Sequence, residues 1–317
     1  MNVVKITPRG YCHGVIDALN LAQEAALNPD IPRPIHILGM IVHNEHITKA
    51  LEALGVVTVD DKTKTRMELL DTINDGTVIF TAHGIAPAVK EKAQAKGLHC
   101  IDASCRDVIT THDLIREYVA QGYEILYIGK KGHPETEGSL GVAPGFVHLV
   151  ENKTDLELLQ VQNELLMITN QTTMSLWDVA KLAKAIQDKY PTANFIREIC
   201  NATQIRQEAV ANKAKGADLT IVVGDPYSNN SGRLAQVSEE LADVPAKRIA
   251  SLEELDLAWL ATVDTVAVTS GASTPTAITK EVIAFLEQYD KFNPETWDTT
   301  SKVGQDKILM RKSRKIS

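Results

Sequence analysis

Three of the four cysteines recur at nearly equal intervals along the chain. Cys105 lies 93 residues after Cys12, and Cys200 lies 95 residues after Cys105. Each ends an extended segment and opens a helical pattern, a position at which the helix N-terminus lowers the thiol pKa and favours the thiolate that binds metals. Cys100 lies inside a predicted strand and outside the repeat, so we interpret it as a small buried apolar residue.

Two sets of polar residues recur in register with these cysteines. The first set lies 31, 28 and 28 residues after them, in loops that follow a second strand, and comprises His43, His133 and Ser228. The second set lies 71, 67 and 73 residues after them, in loops that follow a third strand, and comprises His83, Thr172 and Ser273. Open α/β sheets bind ligands at the carboxyl ends of their parallel strands, so the sequence predicts a polar site around the cysteines.

Three thiolates can hold either of two metal centres. One is a zinc ion with an open fourth position, and the other is a [4Fe–4S] cluster in which one iron has no protein ligand. Such an iron would be both a Lewis acid and an electron conduit. The chain has no Cys-x-x-Cys spacing, which argues against a zinc ribbon and a thioredoxin motif, but spacing does not decide between the two centres.

The elements that must position these residues follow an α/β pattern, in which strands joined by crossover helices form parallel sheets. The predicted strands are 3–6, 35–38, 77–81, 124–128, 165–169, 219–223 and 265–269. The predicted helices are 15–27, 109–120, 176–190 and 204–215. The repeat predicts three similar α/β domains around a pseudo-threefold axis, at 1–103, 104–196 and 197–290, followed by a C-terminal extension, 291–317.

Composition narrows the class of protein. The 317 residues can bury several cores, and a net charge of −8 argues against a broad nucleic-acid-binding surface. No run approaches the ~18–20 apolar residues that cross a bilayer, and residues 1–9 lack the features of a signal peptide. We therefore expect a cytosolic protein without disulfides. The one basic cluster lies in the tail, which we interpret as a solvated end, and comprises Lys307, Arg311, Lys312, Arg314 and Lys315.

Nine segments, in order, resemble those of one known family. They are PRGYCHGV at 8–15, VHN at 42–44, AHG at 82–84, DASC at 102–105, GHPETEG at 132–138, QTTMS at 171–175, ICNAT at 199–203, SNNS at 228–231 and GAS at 271–273. On these motifs the chain is similar to the LytB/IspH family, whose members are 4-hydroxy-3-methylbut-2-enyl diphosphate reductases. The resemblance extends to about Tyr289 and therefore covers nearly the whole chain.

The resemblance implies a trefoil of three α/β domains around one [4Fe–4S] cluster per chain, with Cys12, Cys105 and Cys200 as its protein ligands. It implies reductive dehydroxylation of the allylic diphosphate to isopentenyl and dimethylallyl diphosphates, the last step of the non-mevalonate isoprenoid pathway. Reduced ferredoxin or flavodoxin would supply the electrons, and neither nucleic acid nor membrane is an expected partner. Glu135 matches the proton-delivering carboxylate, with Thr172 and His133 beside it at the substrate hydroxyl. The residues that match the diphosphate-binding set are His43, His83, Ser228, Asn229, Asn230 and Ser273.

Two positions depart from the family pattern. The usual Asp-Ala-Thr-Cys-Pro segment is DASCR at 102–106, so Arg106 replaces a proline at the first helical position and brings a charge close to the cluster. Asn229 follows Ser228 where some members have two serines, and its amide can still donate hydrogen bonds. Neither change removes a predicted ligand. The charge of Arg106 would, however, alter the redox potential of the cluster.

Two other function classes fit parts of the sequence. An Fe–S or zinc lyase or hydrolase acting on another phosphorylated substrate would use the same cysteines and histidines. The choice of the allylic diphosphate over such substrates depends on the family motifs and not on periodicity. A non-catalytic redox sensor or RNA-associated factor is disfavoured by the acidic balance and by the density of polar groups at strand ends.

Overall fold

A computed structural model of the chain describes residues 1–309, so four of the five basic tail residues, Arg311, Lys312, Arg314 and Lys315, lie outside the described range. The strands are β1 (Asn2–Lys5), β2 (Ile35–Leu38), β3 (Val56–Val59), β4 (Thr77–Phe80), β5 (His99–Asp102), β6 (Glu124–Ile128), β7 (Val147–Val150), β8 (Leu166–Asn170), β9 (Asn194–Phe195), β10 (Leu219–Val223), β11 (Ala246–Ile249) and β12 (Thr265–Ser270). The α-helices are α1 (His13–Leu27), α2 (Glu45–Glu52), α3 (Arg66–Asp71), α4 (Pro87–Ala95), α5 (Arg106–Ala120), α6 (Pro134–Leu140), α7 (Lys153–Leu158), α8 (Leu176–Lys189), α9 (Asn201–Lys213), α10 (Asn229–Leu241) and α11 (Thr276–Gln288). All seven predicted strands and all four predicted helices form, with ends within three residues of those expected.

The strands form three sheets of four parallel strands each, which confirms the predicted α/β fold class. The orders are β3-β2-β4-β5, β7-β6-β8-β9 and β11-β10-β12-β1. If the strands of each sheet are numbered 1 to 4 along the chain, with β1 counted as the fourth strand of its sheet, all three orders are 2-1-3-4. In every sheet the fourth strand is the one that runs into a cysteine.

The N-terminal strand belongs to a different sheet from the one that the sequence indicated. We expected β1 to open the domain at 1–103, but it pairs with β12, in the register Val3 with Val266 and Val4 with Ala267. The first sheet is complete without β1, because β5 supplies its fourth strand. Counting from cysteine to cysteine therefore finds the period of the repeat but not where each sheet begins, and the boundaries at 103 and 196 stay a prediction.

The chain folds into two compact units. Within the described residues, the first comprises 1–19, 43–53 and 201–309, and it contains the sheet of β1 and β10–β12. The second comprises residues 20–42 and 54–200, and it contains the other two sheets. Within residues 1–309 no helix has the length and apolarity that spanning a membrane requires.

Four of the central strands are buried along their whole length. Every residue of β4, β6, β8 and β10 is buried. Successive side chains of a strand point to opposite faces, so Leu126 packs in a cluster with Ile186 of α8, while Tyr127 packs in another with Ile115 of α5. This double burial explains why the strands are continuous apolar runs.

The C-terminal extension packs back onto the first unit. The carbonyl of Ile308, which is buried, accepts a hydrogen bond of 2.8 Å from the hydroxyl of Tyr11. Burial raises the pKa of this tyrosine well above its usual range. The residue before Cys12 is thereby tied to the end of the described chain.

The pairing of β1 predicts an asymmetry between two neighbouring proline substitutions. The N–H of Asn2 donates to the carbonyl of Asp264, just before β12, and that of Ile6 to the carbonyl of Val268 in β12, at 2.9 Å each. The alternation of a parallel ladder therefore directs the N–H of Val4 to β12 and that of Val3 away from it. Val4→Pro should cost about 1–3 kcal/mol of unfolding free energy, because a carbonyl of β12 loses its donor. Val3→Pro, the control, should cost much less.

Amide hydrogen exchange read by mass spectrometry locates the effect. Exchange should rise in peptides that cover β12 in the Val4→Pro variant and stay unchanged in peptides that cover β4. Faster exchange in β4 would show that β1 pairs with the first sheet after all.

Candidate functional site

The three repeated cysteines occupy the same place in their repeats. Each directly precedes a helix, α1, α5 or α9, as predicted. The backbone N–H of each donates to a carbonyl in the loop after the neighbouring strand, at 3.1 Å for Cys12, 3.0 Å for Cys105 and 3.2 Å for Cys200. The accepting residues are, in the same order, Ala272, Ala82 and Thr172. All three side chains are partly buried, and none is part of a disulfide.

These hydrogen bonds correct one position of the predicted register. We aligned Thr172 with His83 and Ser273, but Thr172 is the acceptor of the cysteine N–H, and its two counterparts stand one residue before His83 and Ser273. Thr173 is therefore the counterpart of those two residues. Residue counts from the cysteines do not identify equivalent positions, because the connecting segments of the three repeats differ in length.

Glu135 is a buried carboxyl group with a strongly shifted pKa. It lies in the first turn of α6, is 2% exposed, and accepts a hydrogen bond of 2.7 Å at Oε1 from the N–H of Thr172. Burial raises its pKa to about 7, the hydrogen bonds from Thr172 oppose that rise, and the charge of Asp107 adds to it. Near neutral pH this side chain can therefore both hold and release a proton.

Thr172 joins this carboxyl group to a predicted metal ligand. Its N–H binds Glu135, and its C=O accepts the N–H of Cys200. The side chain of Glu135 and the backbone of Cys200 are therefore hydrogen-bonded to the same buried residue.

His133 caps α6, and its ring has a defined tautomer when neutral. Nδ1 accepts the N–H of Glu135 at 3.1 Å, so the proton of the neutral ring is on Nε2. The ring meets that of His83 edge to face, with centroids 5.5 Å apart and planes at 89°. His83 in turn lies 3.3 Å, Nδ1 to Oγ1, from Thr81. The two predicted substrate-binding histidines of the second unit are therefore neighbours.

Asp107 is a site residue that sequence reasoning missed. Its carboxylate lies 3.9 Å from the Sγ of Cys105, and its negative charge raises the pKa of both Glu135 and Glu198. The only sign of its role in the sequence is its position two residues after the DASC motif at 102–105. It favours the protonated form of the buried acid.

Gln171 was quoted in a motif but given no role, and it connects two loops of the site. Its buried Oε1 accepts the N–H of Lys130 at 3.0 Å and the hydroxyl of Thr136 at 3.3 Å. Its Nε2 donates to the hydroxyl of Thr173 at 3.0 Å. The loop that leads to His133 is thereby tied to the loop that contains Thr172.

In the first unit, the predicted diphosphate residues surround the start of α10. Ser228 is the N-cap, and its Oγ accepts hydrogen bonds from the N–H and the hydroxyl of Ser231. Asn229 opens the helix, and Asn230 accepts from the N–H of Ala272 at 3.0 Å. A 13-residue helix that begins with polar side chains presents N–H donors and a positive dipole end, which suit a phosphate.

The close approach of α10 to its sheet requires a glycine. A Cβ on Gly224, which directly follows β10, would lie 2.1 Å from the Oγ of Ser231. Any other residue at this position would push the first turn of the helix away from the strand end. The glycine therefore fixes where Asn229 and Asn230 stand.

Two contacts hold His43 beside this loop. The hydroxyl of Ser273 donates to the carbonyl of His43 at 3.0 Å. The buried carboxylate of Asp225 accepts the N–H of Glu45, at the start of α2, and that of Tyr227, at 3.0 and 2.8 Å. The loops that carry His43, Ser228 and Ser273 thus form one hydrogen-bonded group within the first unit.

Arg206 is a second residue that sequence reasoning missed. It is buried in α9, and its guanidinium donates to the carbonyl of Gly10 and to that of Ala202, at 2.8 Å each. The loop that carries Cys12 is therefore fastened to the helix that starts after Cys200.

Residues 3–287 match the family model described as LytB protein. This chain belongs to the LytB family. The resemblance stated from the sequence motifs is thereby confirmed, and the matched range contains every predicted site residue.

Other members of the LytB family are similar to the chain over its whole length. It is 60% identical over 309 residues to the 4-hydroxy-3-methylbut-2-enyl diphosphate reductase of Anoxybacillus flavithermus, with 98% of each chain covered. It is also 60% identical, over 311 residues, to the enzyme of that name from Bacillus mycoides, again with 98% coverage. A solved structure of the E-1-hydroxy-2-methyl-but-2-enyl-4-diphosphate reductase from Plasmodium falciparum has a TM-score of 0.84 at 34% identity, covering 93% of this chain and 89% of that one.

The structure distributes the predicted site residues of this LytB chain between the two units. The second unit holds Glu135, Thr172, His133, His83, Cys105 and Cys200. The first unit holds Cys12, His43, Ser228, Asn229, Asn230 and Ser273. Within the second unit, hydrogen bonds and ring contacts connect the acid, both histidines and Cys200. Within the first, they connect the loops of the diphosphate set.

The shifted pKa of Glu135 makes stability depend on pH. The ordinary pKa is 4.5 and the folded value is about 7, so between these pH values the folded state binds more protons and its stability falls as pH rises. Glu135→Gln abolishes this titration and keeps an acceptor for the N–H of Thr172. The variant should gain up to about 3 kcal/mol relative to the wild type between pH 5 and pH 8.

Anaerobic urea unfolding at both pH values measures this difference. Glu164→Gln, which changes an exposed carboxylate of the same unit, should show no such trend. A stability difference between Glu135→Gln and the wild type that does not vary with pH would contradict the shifted pKa.

Proposed function

We propose that this LytB-family protein converts (E)-4-hydroxy-3-methylbut-2-enyl diphosphate to isopentenyl and dimethylallyl diphosphates, the last step of the non-mevalonate pathway. The names of full-length relatives at 60% identity support the substrate and the reaction. The observation that carries the chemistry is the buried Glu135, with a pKa of about 7, held by Thr172 beside the backbone of Cys200. A reductive dehydroxylation needs such an acid close to the source of electrons.

We propose that Cys12, Cys105 and Cys200 hold one [4Fe–4S] cluster per chain. The cysteines fit this group, because they form no disulfide and lie at equivalent strand-to-helix corners with the same backbone hydrogen bond. When bound, such a cluster supplies electrons and one iron without a protein ligand, which is a Lewis acid. Cys100 is no ligand in this proposal: its Sγ contacts the carbonyl of Leu98, and burial raises its pKa.

Glu135 supplies the proton that makes the hydroxyl a leaving group. The reaction consumes two electrons and two protons and breaks the C–O bond; one proton leaves with the hydroxyl as water, and the other ends on carbon. Hydroxide alone is a poor leaving group, so a positioned acid lowers the barrier. Its pKa near neutrality allows Glu135 to be reprotonated between turnovers.

Thr172 and His133 orient the substrate hydroxyl beside this acid. Thr172 is held by backbone hydrogen bonds on both sides, so its side chain has little freedom to move. His133, whose Nδ1 is already an acceptor, directs an Nε2–H donor away from α6. Both groups therefore bind an oxygen without accepting its proton.

The diphosphate is bound by neutral donors, a helix N-terminus and two histidines. We propose this role for His43, His83, Ser228, Asn229, Asn230 and Ser273. Hydroxyl and amide groups donate hydrogen bonds to phosphate oxygens, and α10 adds its dipole. Reduced ferredoxin or flavodoxin would deliver the electrons in the cytosol.

Turnover with a chemical reductant tests the proposed reaction. With reduced methyl viologen and no oxygen, the protein should convert the hydroxymethylbutenyl diphosphate to both products. Glu135→Gln should lower kcat by about 10²–10⁴-fold, the contribution of a general acid. Glu164→Gln should match the wild type, and an unchanged rate in Glu135→Gln would refute the proton-delivery role.

The colour and iron content of anaerobically isolated protein test the cofactor. The wild type should be brown and contain iron and sulfide, and each of Cys12→Ser, Cys105→Ser and Cys200→Ser should lose most of both. Cys100→Ser is the matched control and should keep them. A colourless wild type that contains zinc would favour the zinc lyase or hydrolase instead.

A further inference from the structure

Arg66 is a buried cation in the second unit that forms an ion pair with Glu137. It is 6% exposed at the start of α3, and its Nη1 lies 3.5 Å from Oε2 of Glu137. Its backbone N–H donates to Oε1 of the same carboxylate at 2.9 Å. Glu137 therefore binds both the charge of Arg66 and the first N–H of its helix.

Burial of this charge is costly. It lowers the pKa of Arg66, and the charge of Glu137 opposes that shift. A well-packed apolar pair at such a position is often as stable as an ion pair, or more stable. Stability alone therefore does not explain a cation at this position.

The contacts of the pair lead to the predicted acid and to both histidines of this unit. Glu137 lies on α6, two residues after Glu135 and four after His133. On the other side, Nη2 of Arg66 lies 3.5 Å from the Oγ1 of Thr81, which meets Nδ1 of His83 at 3.3 Å. One ion pair thus connects α6 to the loop after β4, where the rings of His83 and His133 face each other.

The strand end beside the guanidinium leaves room for it. Gly39, with a φ of +91°, directly follows β2, and a Cβ there would lie 2.9 Å from Nη2 of Arg66. A side chain at this position would displace the guanidinium from Thr81. The backbone is therefore shaped around Arg66.

We propose that Arg66 and Glu137 form a positioning pair that sets the gap between His83 and His133 and aims Glu135 at the substrate hydroxyl. The proposal rests on the proposed roles of these three residues. The pair itself touches no substrate. It fixes the direction from which α6 presents its acid, and a displacement of about 1 Å there would lower the rate by as much as 10²-fold.

A double-mutant cycle separates positioning from stability. Glu137→Gln should lower the melting temperature by roughly 5 °C or more, because it leaves the buried guanidinium of Arg66 without its ion pair. Arg66→Met should lower it less, because the Glu137 side chain that it leaves unpaired is 35% exposed. The double variant has no buried charge, so its melting temperature should recover to within about 2 °C of the wild type. Its kcat should stay about 10–100-fold low, since the guanidinium no longer links Glu137 on α6 to Thr81 in the loop after β4. The KM should change less than kcat, because most of the diphosphate donors lie in the first unit.

A second buried pair of the same unit provides the control. Glu124, at the start of β6, binds Nε2 of His148 at 2.7 Å, at the opposite ends of the strands from the site. Glu124→Gln should lower the melting temperature and leave kcat within about twofold of the wild type. Recovery of kcat together with stability in the double variant, or single variants with wild-type kcat, would overturn the proposal. An inactive wild type would instead refute the proposed function, which the cycle therefore tests separately.

Discussion

Each of the three repeated cysteines is fixed by a hydrogen bond from its own N–H to a carbonyl in the loop after the neighbouring strand of the sheet. This bond can form only because the fourth strand of every sheet lies beside the third, so that the two strand ends share one edge. The remaining geometry builds on it. Thr172, the acceptor for the N–H of Cys200, uses its own N–H to hold Glu135, and one residue therefore fixes both the backbone of Cys200 and the carboxyl group of Glu135.

The buried strands and the helices between them could be predicted from the sequence. β6 and β10, for example, were predicted to the residue, because they are buried on both faces and read as continuous apolar runs. Edge strands such as β9, with two residues, and β11, which is largely exposed, have no such run and were not predicted. A local pattern also could not predict which sheet β1 joins, since its partner strand lies 263 residues away in the sequence.

Residue types at the site could be inferred, but their partners could not. The motifs identified Glu135 and the cysteines, yet no local signal marks Arg66 as buried, because a basic residue after Thr65 at a helix start is typical of an exposed position. Burial of Arg66 and Arg206 results from tertiary contacts, with Glu137 in one case and the carbonyl of Gly10 in the other. The one-residue shift at Thr172 has a similar origin, since hydrogen bonds and not spacing define which loop positions correspond.

The pairing of β1 with β12 has a consequence for how the protein is made. The strand that leads to Cys12 leaves the ribosome first, but its partner emerges 263 residues later. At typical synthesis rates the delay is on the order of 10–50 s. The second unit, residues 20–42 and 54–200, carries Cys105 and Cys200 and can meanwhile fold with its own two sheets. Cys12 reaches its final place only after β12 has been synthesised, so any metal centre that needs all three cysteines is completed on the finished chain and not on the growing one.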